Sequence, residues 1–280
     1  TLLSIARIEM HQKKVAAATG HAKEALGLED AARDPVLTSE IQFVLSDAAR
    51  EAGEAAGARA LLIAAATDLS KARLKVQGGS LVRVERALSR ILDRLGATKQ
   101  ADAALNRALD AATKDKRQSG SVLSQAIARA VVRSDLKGGR EAFARALASD
   151  LAPEDLVYMA MWVRILERTH RVKPDGTADK VLLASVDDPR WVGKIAAFGA
   201  GRIAASALLA EAKTESQKAE ALFYTAMDKR SVGDTKASEE ALRKVESSSG
   251  IDLVEVQIAH ELLLGPKAVL PGAMPELGLP

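Results

Sequence analysis

Apolar residues recur at three- and four-residue spacing along nearly the whole chain, and glycine or proline breaks the pattern at short intervals. Leu81, Val84, Leu88, Ile91, Leu92 and Leu95 form one such stripe, with Arg83, Arg86, Arg90 and Arg94 on the other side. Breaks follow at Gly20, Gly53, Gly57, Gly78-Gly79, Gly96, Gly138-Gly139, Pro153, Pro174-Asp175-Gly176, Pro189, Gly233 and Gly250. A chain patterned in this way is confined to helices of roughly 10–17 residues joined by brief turns. Asp34-Pro35, Ala152-Pro153 and Asp188-Pro189 each put a proline near a helix start, where its missing N–H costs little. The pattern predicts seven helical hairpins over residues 2–27, 36–69, 80–114, 118–149, 153–185, 189–213 and 215–248, then a last helix over 251–264. From Gly265 onward Pro266, Pro271, Pro275 and Pro280 exclude a regular helix. The expected organisation is therefore a helical repeat domain, 1–264, with an extended tail, 265–280.

Composition sharpens this. Apolar residues make up 48% of the chain but aromatics only 3%, so small side chains, not β-branched and aromatic ones, must fill the core. That fits closely crossing helices and opposes a β-sandwich or barrel. Forty Lys and Arg against 37 Asp and Glu leave a net charge of +3, which is not the footprint of a dedicated nucleic-acid-binding face. With no cysteine, disulfides, thiolate metal sites and cysteine nucleophiles are excluded. No apolar run reaches the roughly 18 residues of a membrane span. The start at Thr1, without Met and already in helical register, points to a processed product or an excerpt of something longer.

Laid over one another, the hairpins share a register: a small residue, Gly seven later, a small residue twelve later, a large apolar one sixteen later and a small one nineteen later. Ser46, Gly53, Ala58, Leu62 and Ala65 fit it, as do Ser89, Gly96, Ala101, Leu105 and Ala108. Ala226, Gly233, Ser238 and Leu242 follow, with Val245 in the last slot. The first hairpin keeps Ala6, Ala18 and Ala25 but has Lys13 at the turn, and the fourth carries Ile127, Gly139, Phe143 and Ala146.

This spacing resembles the tetratricopeptide repeat (TPR). In that family small residues let two antiparallel helices cross closely, and the glycine closes the turn between them. Ala219–Val245, with Ala-Leu-Phe-Tyr-Thr-Ala at 221–226 and Val-Gly-Asp at 232–234, looks like the last repeat of many bacterial members, and the segment from Ile251 like their closing helix. The family's Trp-Leu-Gly-Tyr signature is missing. The resemblance implies an all-α, right-handed TPR-like α-solenoid of about seven hairpins plus a closing helix.

Sequences that mimic catalytic motifs read differently in their context. Gly199-Ala-Gly201-Arg-Ile-Ala204, with Glu220 downstream, has the spacing of a dinucleotide-binding loop but lacks the preceding strand, and reads as a turn between helices. Ser134-x-x-Lys137 falls at a hairpin turn without the companion motifs of a serine–lysine hydrolase. His11, His21, His170 and His260 are scattered, and none completes a metal-ligand spacing. No catalytic residue, metal, cofactor or small-molecule substrate is expected.

The sharper surface feature is the arginine row, spaced 3, 4 and 4 along one helix. By the resemblance, the first helix of each hairpin lines a concave groove, which places Arg83, Arg86 and Arg90 there, with Phe43, Asp47 and Arg50 from the second hairpin and Phe223, Met227 and Arg230 from the seventh. Guanidinium groups would hold a partner's carboxylates, and exposed Phe or Met would mark a peptide contact. The alternative is a solvated face balanced by Glu85 and Asp93. The expected function is a scaffold or adaptor binding a protein partner. The other reading is a helical accessory domain of a larger envelope enzyme or of an export or motility machine. High Ala with abundant Arg fits a GC-rich bacterial source; the closing repeat points to an extracytoplasmic, envelope-associated location, with the cytoplasm as the alternative. In the tail, apolar Val269, Leu270, Met274, Leu277 and Leu279 are expected to lie along a hydrophobic surface, either the end of their own solenoid, where Leu253, Val256, Leu262 and Leu263 of the closing helix offer one, or a neighbouring molecule's groove; the alternative is a disordered end.

Overall fold

A computed structural model describes residues 1–113, 116–248, 253–270 and 272, without the side chains of 116 and 117. The chain is all-helical, 80% helix, with no strand among the described residues. The helices run α1 Leu2–His11, α2 Val15–Leu26, α3 Glu29–Arg33, α4 Pro35–Glu51, α5 Ala55–Ala72, α6 Gly78–Arg94, α7 Thr98–Ala112 and α8 Lys116–Arg133. They continue as α9 Leu136–Leu147, α10 Pro153–Thr169, α11 Thr177–Ser185, α12 Trp191–Gly199, α13 Ala205–Glu211, α14 Glu215–Ser231, α15 Thr235–Glu246 and α16 Val254–Leu264. Pro35 and Pro153 open α4 and α10, and the Asp34 carboxylate caps α4 by accepting the N–H of Val36 at 2.9 Å.

One turn recurs. At the ends of α1, α4, α6, α8, α10, α12 and α14 a single residue takes positive φ: Lys13, Gly53, Gly96, Ser134, Arg171, Gly201 and Gly233. Each donates its N–H three residues back, and the next residue donates five back, as in Gly53→Arg50 with Glu54→Ala49, and Gly96→Asp93 with Ala97→Leu92. Two of the orphan carbonyls of each helix end are thereby satisfied. Glycine takes this conformation without penalty, whereas Lys13, Ser134 and Arg171 hold it at φ 60°, 55° and 54°. After Gly53 and Gly96 the next helix begins within two residues, which folds α5 back on α4 and α7 on α6.

The packing of these pairs repeats as well. Ser46 Oγ donates to the Ala58 carbonyl and Ser89 Oγ to the Ala101 carbonyl, each at 2.9 Å and each across twelve residues. Ala58, Ala65, Ala101 and Ala108 are fully buried, as crossing points between backbones require.

By their contacts the residues fall into two compact units, Thr1–Gln118 with Pro266–Pro280, and Ser119–Gly265. Within the expected tail, Leu270 is buried in the core cluster that holds Leu62, Leu88, Leu92 and Ala101, and its N–H donates to the Arg94 carbonyl at 2.7 Å. The expected bed on α16 is thus replaced, for Leu270, by one built from α4 to α7. Proline's exclusion of helix leaves the tail's backbone groups open to such partners. Met274, Leu277 and Leu279 lie outside the described residues, as do Gly250 and the 251–252 start of the last helix.

Candidate functional site

The arginine row faces α4. Arg83 pairs with Asp34 at 3.0 Å, the Arg90 guanidinium lies 4.0 Å from the centre of the Phe43 ring, and Arg94 lies 5.0 Å from the same ring. Arg94 also reaches Asp47 at 3.6 Å, and Asp47 reaches Arg50 at 3.7 Å. Burial pulls the Arg86 guanidinium below its ordinary value, against the attraction of Glu40. A row spaced for one side of α6 therefore differs in burial from member to member: Arg83, whose side chain is 52% exposed, and Arg90 are exposed, Arg86 is half-buried, and Arg94 at 5% is buried. It braces α6 to α4 through ion pairs and cation–π contacts.

Asp34 caps α4 and Phe43 and Asp47 lie on it, whereas Glu85, one of the two carboxylates expected to balance the row, is engaged elsewhere. That carboxylate is buried, accepts two hydrogen bonds from Arg107 at 2.7 and 3.0 Å, and lies 3.7 Å from Arg73. Phe43, Phe223 and Met227 are also core residues, 4%, 0% and 2% exposed, so none supplies the exposed peptide contact expected of it. Their apolar spacing was that of the packed face. Arg230 is half-buried at the C-terminal end of α14, where its carbonyl accepts from Gly233.

In unit 2 the polar core has a different make-up. Glu220 on α14 accepts from the Trp191 indole N–H at 2.7 Å and from the Tyr158 hydroxyl at 3.0 Å. The Tyr224 hydroxyl, fully buried one turn further on, donates to Glu255 of α16 at 2.8 Å, and Trp162 sits close to the same carboxylate. Both tyrosines and both tryptophans of the chain thus gather around two buried carboxylates. Burial, reinforced by the charge of Glu220, pushes Glu255 up to about 7; burial also raises Glu220, opposed by its two hydrogen bonds. Both tyrosines are pushed upward by burial and by these carboxylates, so they remain donors. The cluster went unnoticed in the sequence, where Glu220 stood out only by its distance from Gly199. The available signal was a glutamate inside an apolar run, Ala219-Glu220-Ala221 and Val254-Glu255-Val256, beside the chain's scarce aromatics.

The motif-like sequences take structural roles. Gly199 ends α12 with its α-carbon against Met161 and Leu182, where a β-carbon would approach the Met161 sulfur to 2.4 Å, and Gly201 is the left-handed cap at φ 72°. A helix precedes this glycine pair, so the geometry of a dinucleotide loop is absent. Lys137 pairs with Glu141 at 3.8 Å, while Ser134 Oγ lies 3.0 Å from His170 Nε2. That nitrogen is also 2.7 Å from the Ser134 carbonyl, to which only an N–H can bond. It carries its proton there and cannot serve as base for the hydroxyl. His21 bonds Glu9 and His260 bonds Glu246, both at 2.7 Å; the Glu9 contact holds His21 above its ordinary value. No group of three or more potential metal ligands occurs among the described residues. An open cavity of about 280 Å³ is lined by Arg140, Glu141, Phe143, Ala144, Asp175 and Thr177. Its charges are engaged, Arg140 with buried Glu167 at 2.6 Å and with Asp175 at 3.2 Å.

Comparison with protein-family models, curated proteins and solved structures finds no match to the chain.

Proposed function

We propose that the chain is a non-catalytic scaffold or adaptor: a TPR-like, right-handed solenoid of about seven antiparallel helical hairpins and a closing helix, whose groove takes an extended segment or helix of a partner protein. The observation that carries this reading is repetition. One left-handed cap closes α1, α4, α6, α8, α10, α12 and α14, and one serine-to-carbonyl contact recurs between α4 and α5 and between α6 and α7. Repeated units of this kind, unable to bury their apolar faces alone, stack into arrays that present long surfaces. The polar residues Asp47, Arg50, Arg83, Arg86, Arg90 and Arg230 belong to first helices of the pairs, those that line the groove in TPR proteins. We place the complex in a bacterial envelope, outside the cytoplasm.

Affinity capture with the folded chain as bait, followed by titration of the purified partner, tests the reading. Arg83→Glu is the most informative variant, because its half-exposed side chain can be reversed while Arg90 and Arg94 keep their hold on Phe43. Weaker binding at low salt, with the difference shrinking as salt is raised, is expected of a charge at a binding rim. A folded variant with unchanged affinity would remove Arg83 from the interface, and failure to retain any specific protein would remove the adaptor reading.

A further inference from the structure

The seat of the C-terminal tail has the make-up of a peptide-recognition site. Arg94 is the last residue of α6, and its carbonyl, at a helix end, accepts the Leu270 N–H at 2.7 Å. From the other side Arg59 of α5 donates its Nη1 to the Leu270 carbonyl at 2.6 Å. The same residue therefore has donor and acceptor both engaged, and its side chain, only 7% exposed, belongs to the core cluster that includes Leu62, Leu88 and Leu92.

Two glycines allow the close approach. A β-carbon on Gly96, already at φ 75°, would come within 3.0 Å of Val269 Cγ1, and one on Gly272 within 2.8 Å of Arg59 Nε. Val269, at 38% exposed, rides over the turn without entering the core. Recognition thus uses main-chain hydrogen bonds for affinity and one pocketed side chain for selection, a division common to sites that bind extended segments. Pro271, next in sequence, has no N–H to leave unpaired.

We propose that this seat, formed by Arg59, the Arg94 carbonyl, Gly96 and the apolar cluster that holds Leu62, is a docking site for an extended partner segment bearing leucine followed by proline and glycine, and that the chain's own tail occupies it in cis. The partner must displace the tail to bind. The proposal rests on the reading of the chain as a binding protein and adds to it the site, the chemistry of the segment and a built-in competitor. Its test needs no natural partner, so it can fail while the adaptor reading stands. Tethering raises the tail's local concentration to the order of millimolar, so an incoming segment with a Kd on the order of 10–100 μM meets about 10- to 100-fold competition.

The experiment follows the anisotropy of a fluorescein-labelled peptide of residues 266–280 with the full chain. Leu270→Asp, which expels the tail, should bind the peptide one to one, and the unaltered chain about 10- to 100-fold more weakly. Adding Arg59→Glu to Leu270→Asp should abolish binding. Should Leu270→Asp fail to fold by circular dichroism, a chain with a specific protease site placed within Gly265–Lys267, cut and diluted after folding, releases the tail without altering any residue of the seat and should gain the same binding. Folded, tail-released chain that ignores the peptide, or equal affinity with the tail free and seated, would overturn the proposal. So would concentration-dependent dimers of the unaltered chain that the peptide dissolves, since the seat would then serve exchange of tails between copies.

Discussion

In unit 1 the neighbouring helices α4 and α6 are joined by guanidinium groups set against carboxylates and one aromatic ring, whereas in unit 2 α10, α14 and α16 are joined by carboxylates set against phenol and indole groups. The buried Glu85 of unit 1 has Arg107 and Arg73 as counter-ions; in unit 2, Glu255 and Glu220 have neutral hydrogen-bond donors. A hydrogen bond from a neutral donor offsets only part of what a carboxylate loses on leaving water, and a nearby second carboxylate adds to that loss. One protein thus holds buried glutamates of the same chemical type in opposite electrostatic settings. Burial alone does not decide whether such a group stabilises; the charge of its partners does.

The widest separation between the units should come from one substitution made in each. Glu85→Gln leaves Arg107 and Arg73 without their anion, and should destabilise the chain at pH 7 by about 3 kcal/mol, the low end for a broken buried pair because Arg107 can turn to water. A urea midpoint unchanged from that of the unaltered chain would show the pair to be idle. Glu255→Gln should act in the other direction. An acid whose folded pKa is raised contributes full stability while protonated, below its unfolded value of 4.5, and loses it as pH climbs through about 7. At pH 8 the substitution should therefore stabilise by up to about 3 kcal/mol, and at pH 4 have little effect. Parallel pH profiles for the two proteins between pH 4 and 8 would mean that folding does not raise the pKa of Glu255.

Smaller effects test the geometry that both units share. Ala101→Leu forces a larger side chain between α6 and α7, where Ala101 has no exposed surface and its carbonyl holds Ser89; a loss of ~1–3 kcal/mol in thermal unfolding is expected. Lys13→Gly relieves a left-handed lysine in a turn otherwise like those at Gly53 and Gly96, and should stabilise by about 1 kcal/mol. Loss of stability there would mean that the Lys13 side chain contributes more than its backbone costs.

The local parts of this architecture were legible before any coordinates. Ser46, Gly53 and Ala58 announce a small residue, a turn and a second small residue at fixed spacing, and the structure turns that spacing into a hydrogen bond and a left-handed cap. Where glycine is replaced, as at Ser134 and Arg171, the same cap forms but leaves no mark in composition, because neighbouring helices impose what propensity does not. Non-local pairing was the harder part. Spacing put the four arginines on one side of α6, yet only the approach of α4 decides that Arg83 meets Asp34 while Arg90 and Arg94 share Phe43. Phe223 and Met227 have the same helical spacing whether they face a core or a groove, and the core claimed both. The tail was readable as apolar and non-helical, but its resting place depended on a carbonyl at the end of a helix some 170 residues earlier, a relation that no local pattern encodes.

That relation bears on the order in which the protein is made. Leu270 completes a core whose other members all lie before residue 119, and the 147 residues of unit 2, from Ser119 to Gly265, are synthesised in between. Until Leu270 is made, the cluster that holds Leu62, Leu88 and Leu92 is short of one member, and the N–H that bonds the Arg94 carbonyl in the finished chain has yet to arrive. For that interval the surface that Leu270 covers in the finished molecule is uncovered, and a factor that meets it then faces no competition from the tail.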